Sequence, residues 1–412
     1  MKDLTKICLS DRVKLKMNSY PIVKILPRRE IPVLAGHPWI FSNGIDKAPS
    51  DLTPGSIVVI QDSHDQNIGI GFFNPHSSIR IRMISLNASD IIDHDFLKNR
   101  LIQLRELKCI RLPENTTGFR WVYAESDNLP GLILDQYGEL LVFQIHTAGM
   151  DGLRSLLLEV LEEIGFKNII ERSDVGIRKE EGLTTFPVHI HKGNIDANIF
   201  RENNLLFIVD VLKGQKTGFF LDQRDARILI HKNAYKKKVL NLFSYTGAFS
   251  ISAAKGGANK VVSVDISQEA ITHCKTHFRI NNIEPNLHDF VTTDAFKFID
   301  KSSELFYDLI ICDPPAFAKT AAQTKVASEA YIRINKKCLE HLHAGGQLLT
   351  SSCSGRITST DFEKLIRSAA SQAKKQIRIV KRLSQAGCHT ERLIFPEGQY
   401  LKTLFVEILP WG

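Results

Sequence analysis

The sequence predicts an α/β protein: residues 201–412 read as an open parallel sheet covered by helices on both faces, behind a small mostly-β module and a central α+β unit. Three observations predict it. Apolar β-type runs alternate with helical-period stretches from Val239 to Lys374, short β segments broken by Gly, Pro, Asn and Asp fill Tyr20 to Ile92, and a mixed pattern lies between them. The expected divisions are an N-terminal tail at 1–19, a β domain at 20–93, a central α+β domain at 94–200 and the large α/β domain at 201–412.

In the first domain, Ser56–Ile60, Ile68–Phe72 and Ile79–Ile84 have the length and β-branched content of strands. In the second, Phe119–Ala124, Glu139–Ile145 and Asn168–Glu171 are strand-like, and Met150–Ile164 puts Leu153, Leu157, Val160, Leu161 and Ile164 on one helical face. A hairpin over Leu205–Val211 leads into strands at Val239–Phe243, Val261–Asp265, Asp289–Thr292, Tyr307–Asp313 and Gln347–Cys353. Helices are expected at Ser250–Lys255, Gln268–Asn281, Thr324–His343 and Asp361–Lys374. Ligands of such a sheet bind beyond the carboxyl ends of its strands, so those ends are where chemistry is sought.

With 412 residues and 43% hydrophobic content the composition is globular, which excludes disorder, collagen and coiled coil. Lys and Arg number 53 against 45 Asp and Glu, and the resulting charge of +8 favours a polyanion such as nucleic acid as partner. Seven cysteines without a C-x-x-C pair suggest neither a disulfide framework nor a thiolate zinc site, and fit a reducing cytoplasm. Met1–Met17 lacks the apolar core of a signal peptide and no run approaches the ~20 apolar residues of a membrane span. A soluble cytoplasmic protein with no membrane partner is expected, and a homodimer is left open.

The first strand of the large domain ends in Asn241-Leu-Phe-Ser-Tyr-Thr-Gly-Ala-Phe-Ser250, and the second at Asp265, about 20 residues on, where nucleotide-binding folds place a ribose-binding carboxylate. A pyrophosphate would call for three glycines, whereas Gly247 stands alone among Phe243, Tyr245 and Phe249. This points to S-adenosylmethionine. The bland alternative is a turn glycine and an Asp that caps the next helix, for which Ser267 serves equally well.

The fourth strand ends in Asp313-Pro-Pro-Ala-Phe317, a rigid turn with outward carbonyls to frame a planar base and a carboxylate able to relay a proton. It follows an acidic Asp294 in Thr292-Thr-Asp-Ala-Phe296. After the fifth strand, Cys353 lies between Ser352 and Ser354; it is either a buried structural thiol or a nucleophile. Carbon 5 of cytosine is too weakly nucleophilic to take a sulfonium methyl unaided, but a thiolate adding at carbon 6 generates an enamine-like species that can. The pairs His189/His191 and His273/His277 lack a third ligand, so no metal is expected.

With these residues the chain resembles the bacterial large-subunit (23S) ribosomal RNA (cytosine-5) methyltransferase family, which couples a PUA RNA-binding domain to a Rossmann-like class I S-adenosylmethionine-dependent methyltransferase domain. The resemblance rests on Gly36-His-Pro-Trp-Ile-Phe-Ser-Asn43, the stretch from Glu125 to Gly138, Gly214-Gln-Lys-Thr-Gly-Phe-Phe-Leu-Asp-Gln-Arg224, Asp313-Pro-Pro315 and Phe395-Pro-Glu-Gly-Gln-Tyr-Leu-Lys402, in the family's order. It implies that Phe243, Thr246 and Gly247 line the cofactor's methionine side, that Asp265 holds the ribose and Asp294 the adenine, and that Asp222 and Arg224 help close that pocket. It further implies that Asp313, Pro314 and Pro315 frame the target base, with Cys353 as nucleophile and large-subunit ribosomal RNA as partner. Two departures stand out: Ala316 replaces the second cysteine that wider RNA cytosine-5 methyltransferases carry after this turn, and Gly387-Cys-His-Thr-Glu391 replaces an Asp-His-Pro-like stretch. The alternatives are N-methylation of guanine or adenine, with Phe317 stacking on the base, and a catalytically inert RNA-binding assembly factor. Lys24, Arg28, Arg29, Arg80 and Arg82 are the basic residues expected to give the first domain its RNA affinity.

Overall fold

The computed structural model describes residues 20–196, 198–301, 306–317 and 323–411; the tail at 1–19, with Cys8, lies outside the described residues. The N-terminal domain holds β1 (Ile22–Ile25), α1 (Glu30–Leu34), β2 (Trp39–Phe41), β3 (Ile45–Lys47), β4 (Ser56–Gln61), β5 (Asn67–Phe73) and β6 (Ile79–Ser85). Its six strands run β2-β6-β5-β4-β1-β3, antiparallel except for β1 with β4, around a core of Val23, Ile25, Val58, Ile60 and Ile81.

The central domain contains α2 (His94–Cys109), β7 (Gly118–Tyr123), β8 (Leu132–Tyr137), β9 (Leu140–Ile145), α3 (Ala148–Gly152), α4 (Arg154–Glu163), β10 (Asn168–Glu171) and β11 (His189–Lys192). The strands lie in the order β11-β10-β9-β8-β7. The helix expected over Met150–Ile164 is two, broken at Leu153, whose amide bonds back to the Met150 carbonyl as α3 ends at Gly152. α2 has no counterpart in the sequence reading, because its buried stripe (Leu97, Leu101, Leu104, Lys108) is narrow and set among charges.

A hairpin of β12 (Ile199–Glu202) and β13 (Leu205–Ile208) joins the two halves. The division expected after residue 200 falls inside β12. Phe200 and Phe207 pack with Tyr137 and Val142 of the central sheet and with Phe219, Ile251 and Phe278 of the large domain, so one core crosses the junction. Arg227 clamps it: its guanidinium donates to both Glu202 carboxylate oxygens at 2.6 and 2.7 Å, with both side chains buried.

The large domain contains α5 (Arg224–Asn233), β14 (Lys238–Leu242), α6 (Ala248–Lys255), β15 (Lys260–Asp265), α7 (Gln268–Ile280), β16 (Asp289–Thr292), α8 (Ala295–Lys301), β17 (Tyr307–Cys312), α9 (Thr324–Glu340), β18 (Leu342–Ser352), α10 (Ser359–Gln372), β19 (Ile377–Leu383) and β20 (Lys402–Ile408). Seven strands form one sheet in the order β16-β15-β14-β17-β18-β20-β19. The expectation of a wholly parallel sheet is corrected at one edge: β20 inserts antiparallel between β18 and β19. The strand order reverses between β14 and β17, and that switch point opens a crevice at the carboxyl ends.

Candidate active site

The loop after β14 turns sharply. Phe243, Tyr245 and Gly247 have φ of +57°, +46° and +83°, and a Cβ on Gly247 would stand 2.1 Å from Cys274 Sγ, so only glycine fits there. Asp265, ending the adjacent β15, accepts from the Tyr245 amide at 2.8 Å and from the Ser267 amide at 2.9 Å. Ser267, not Asp265, caps α7. Asp294, at the end of the third strand in this row, accepts from the Lys297 amide at 2.9 Å. Thr246 is fixed through its carbonyl, which accepts from His277 Nδ1 at 2.8 Å, while His277 Nε2 accepts from the Ile208 amide at 2.9 Å. That second bond assigns the tautomer and makes His277 a buried brace between the loop and β13.

These groups fit a nucleoside cofactor. Two carboxylates stand at neighbouring strand ends beside a turned loop, and the buried Ser244 hydroxyl within that loop has no partner among the described residues. Phe243, Phe296 and Phe317 pack as an aromatic cluster with centroids 6.2–6.5 Å apart, and Phe317 reaches Tyr331 at 4.8 Å.

A second group of side chains gathers at the ends of β17, β18 and β20. The register pairs Cys312 with Thr350, so Asp313 and Cys353 leave adjacent parallel strands at one edge. Cys312 itself is buried in the core, as the alternation of a strand requires. Pro314 is buried and Pro315 exposed. Asp222 is buried, its Oδ2 accepting from Lys216 Nζ at 2.5 Å and from the Tyr400 hydroxyl at 2.6 Å. The Gln223 amide hydrogen-bonds Asp313. Lys402, opposite Ser352 on β20, donates to the Ser354 and Tyr400 carbonyls at 2.6 and 2.8 Å.

The electrostatics follow from this crowding. Burial alone would raise the Asp222 carboxyl, but the Lys216 ammonium and the hydrogen bonds to Oδ2 hold it well below the usual range. Desolvation, with the Asp222 charge adding to it, pushes Asp313 up to about 7 against the opposing Lys216 and Gln223. Burial and the Asp313 charge raise the Cys353 thiol, with Lys216 opposing, and burial brings Lys402 down to about 8. A carboxylate that titrates near neutrality can act as a base, and the raised Cys353 thiol needs such a proton acceptor to ionise.

The residues singled out in the sequence thus separate into a loop side (Phe243, Thr246, Gly247, Asp265, Asp294) and a corner holding Asp313, Cys353 and Asp222. Arg224 joins neither: its guanidinium donates to the Gly118 carbonyl and to Cys388 Sγ, tying α5 to the central domain. Lys216, Gln223, Tyr400 and Lys402 were missed as individuals, although all lie within stretches that carried the resemblance. His389, in the stretch that departs from the family pattern, is buried against Tyr123.

Among the histidines weighed as ligands, His191 Nε2 meets Glu171 at 2.9 Å; among the described residues no group of three or more His, Cys, Asp or Glu could hold a metal. Arg82 is corrected as an RNA contact, since its guanidinium is spent on Glu125 and Glu181 of the central domain at 2.5 and 2.9 Å. A cleft of about 480 Å³ opens beside the corner that holds Asp222, lined by Arg120, Tyr123, His146 and Arg172 of the central domain and by Lys216 and Tyr400. Among the described residues no helix is long and apolar enough to cross a membrane.

Comparison with known proteins agrees with this division. Residues 191–391 match the S-adenosylmethionine-dependent methyltransferase family model, and residues 23–86 match a PUA-like domain. Two curated proteins named ribosomal RNA large subunit methyltransferase I are each 38% identical to the chain. The one from Aliivibrio fischeri aligns over 371 residues, 89% of this chain and 94% of its own, and the one from Aeromonas salmonicida over 389, 93% and 98%. A solved methyltransferase complexed with SAH superposes with TM-score 0.80 at 23% identity, covering 94% of this chain and all of that one. A SAM-dependent methyltransferase from Streptococcus mutans gives 0.78 at 22%, with the same coverage. Those two establish the fold, and the closer sequence relatives establish the lineage: the chain belongs to the ribosomal RNA large subunit methyltransferase I family.

Proposed function

We propose that the protein is an S-adenosylmethionine-dependent methyltransferase that forms 5-methylcytosine in large-subunit ribosomal RNA, with Cys353 as nucleophile and Asp313 as base. The observation that carries this reading is the pairing of Cys353 and Asp313 at adjoining strand ends, beside a loop that fits the cofactor. A cytoplasmic location follows from the substrate.

When bound, S-adenosylmethionine supplies an electrophilic methyl on a sulfonium. Phe243, Thr246 and Gly247 would hold its amino-acid side, Asp265 the ribose hydroxyls and Asp294 the adenine. Asp313 takes the Cys353 thiol proton and passes it to solvent as the sulfur bonds to carbon 6 of the flipped-out cytosine, turning carbon 5 into a nucleophile. Once carbon 5 carries the methyl, Asp313 removes its remaining proton, the electron pair restores the 5,6 double bond, and the carbon–sulfur bond breaks to return the thiolate. Because Ala316 stands where wider RNA cytosine-5 methyltransferases commonly carry a second cysteine, release rests on Asp313 or on water. Pro314 and Pro315 frame the base and Phe317 offers a stacking face.

The domain division is proposed as 20–93 for RNA binding, a central domain from 94 to the start of the hairpin, and the methyltransferase beyond it. Purified protein given methyl-labelled S-adenosylmethionine and large-subunit RNA from cells lacking it should yield labelled 5-methylcytidine by mass spectrometry. Cys353→Ala should abolish turnover while cofactor binding persists. A labelled purine, or turnover retained in Cys353→Ala, would remove the thiol mechanism and favour nitrogen methylation.

A further inference from the structure

Two buried acceptors in the catalytic corner have no donor among the described residues: Asp222 Oδ1 and Gln223 Oε1. Both residues are buried, at 2% and 3% exposure, and buried acceptors are normally paired with a donor. They are also held in place. Lys216 and Tyr400 both engage Asp222 Oδ2 and leave Oδ1 free, the Ala386 amide donates to the Asp222 carbonyl at 2.8 Å, and the Gln223 amide group is occupied on its donor side by Asp313. The charge that lowers Asp222 is first that of Lys216, and Asp222 in turn acts on Asp313 and Cys353. No hydrogen bond or ion pair joins it to Asp265 or Asp294 among the described residues.

From this arrangement, and resting on the cytosine reading above, we propose that Asp222 Oδ1 and Gln223 Oε1 accept the two hydrogens of the exocyclic amino group of the target base, and so select cytosine over uracil. Cytosine presents an NH2 donor at carbon 4, whereas uracil presents a carbonyl acceptor there. With uracil in the same pose, two buried acceptors stay unpaired and face a third lone-pair donor. Sites built to hydrogen-bond a group reject the analogue that lacks it by about 10⁴–10⁵ in kcat/KM, far more than shape alone achieves. Tyr400 and Lys216 are positioning residues in this scheme, since they touch the carboxylate and not the base.

The test begins by mapping the nucleotide that wild-type protein labels in large-subunit RNA, then compares transcripts carrying cytidine or uridine at that one position. Asp222→Asn keeps the shape but can turn an NH2 toward a carbonyl. Its kcat/KM on the cytidine transcript should fall by about 100-fold or more, and its cytidine-to-uridine preference by at least about tenfold, while the calorimetric affinity for S-adenosylmethionine stays within about threefold of wild type. Tyr400→Phe leaves the carboxylate in place without its 2.6 Å donor and should move the preference the same way. An unchanged preference in both variants overturns the proposal. So does loss of cofactor affinity in step with turnover, which would assign the two acceptors to the cofactor. Wild-type label on a purine would overturn the cytosine reading itself, whereas 5-methylcytidine from wild type with unaltered preference in the variants would remove this inference alone.

Discussion

Gly247→Ala is the sharpest probe of the cofactor loop, because its cost can be worked from two separable terms. The residue has φ of +83°, where a Cβ costs roughly 1–2 kcal/mol. The added carbon would also lie 2.1 Å from Cys274 Sγ and 3.0 Å from Cys274 Cβ, against an ordinary contact of 3.4–4 Å. Relief requires the loop and α7 to part by more than an ångström in a core where Cys274 is fully buried, an overpacking cost of about 1–3 kcal/mol. Urea unfolding should therefore show a loss of about 2–5 kcal/mol, and calorimetry a weaker cofactor affinity because the loop moves. Cys274→Ala removes the sulfur, so in the double variant the steric part should return while the backbone part remains. The cycle should give a coupling of about 1–3 kcal/mol. Additivity within about 0.5 kcal/mol would refute the argument that close approach to Cys274 dictates glycine here.

Asp265→Ala should weaken S-adenosylmethionine binding by about tenfold or more in calorimetry, since its carboxylate also holds the Tyr245 and Ser267 amides that shape the pocket; unchanged affinity would sink its assigned role. The rate of methyl transfer should climb as pH rises through about 7, where Asp313 becomes the free base, and Asp222→Asn should move that midpoint downward by removing a charge that raises it. Burial holds His277 and His146 near a pKa of about 4 against 6.5 when free, so the unfolded chain takes up protons first as pH falls. Stability is fully present above 6.5 and declines between 6.5 and 4, by up to about 3 kcal/mol for each, which urea midpoints at pH 7.5 and 4.5 will register. Arg227→Met should cost about 3–5 kcal/mol in urea unfolding by stranding buried Glu202, and adding Glu202→Leu should recover much of it.

Local pattern made much of the central and large domains legible. Asp289–Thr292 and Asn168–Glu171 are read to the residue because short β-branched runs there end at polar turns, and Gly247, Asp265, Asp294, Asp313 and Cys353 all fall at strand ends because the alternation fixes where strands stop. What pattern does not carry is strand order. β20 comes last in sequence yet lies between β18 and β19, and only that insertion sets Lys402 opposite Ser352, one residue from Cys353. The same limit explains Arg82, which reads as an RNA-facing charge until Glu125 and Glu181 are brought under it from 43 and 99 residues away. A basic residue on a strand is indistinguishable from a surface charge until the partners supplied by another domain are known.

The segment between Ala386 and Lys402 explains why the three domains act on one corner. Lys108 of α2 is buried and spends its ammonium on Asp127, the Cys388 carbonyl and the Thr390 hydroxyl, fixing the segment's start to the central domain. Phe395, further along, packs edge-on to Trp39 at 4.8 Å, and Trp39 itself donates to Glu125, so the stretch is also held by the N-terminal domain. Its far end delivers Tyr400 to Asp222 and Lys402 to the Ser354 carbonyl. Ties at both ends mean that Asp222 and the Ser354 carbonyl keep their partners Tyr400 and Lys402 only while the other two domains stay docked to this segment through Lys108 and Trp39.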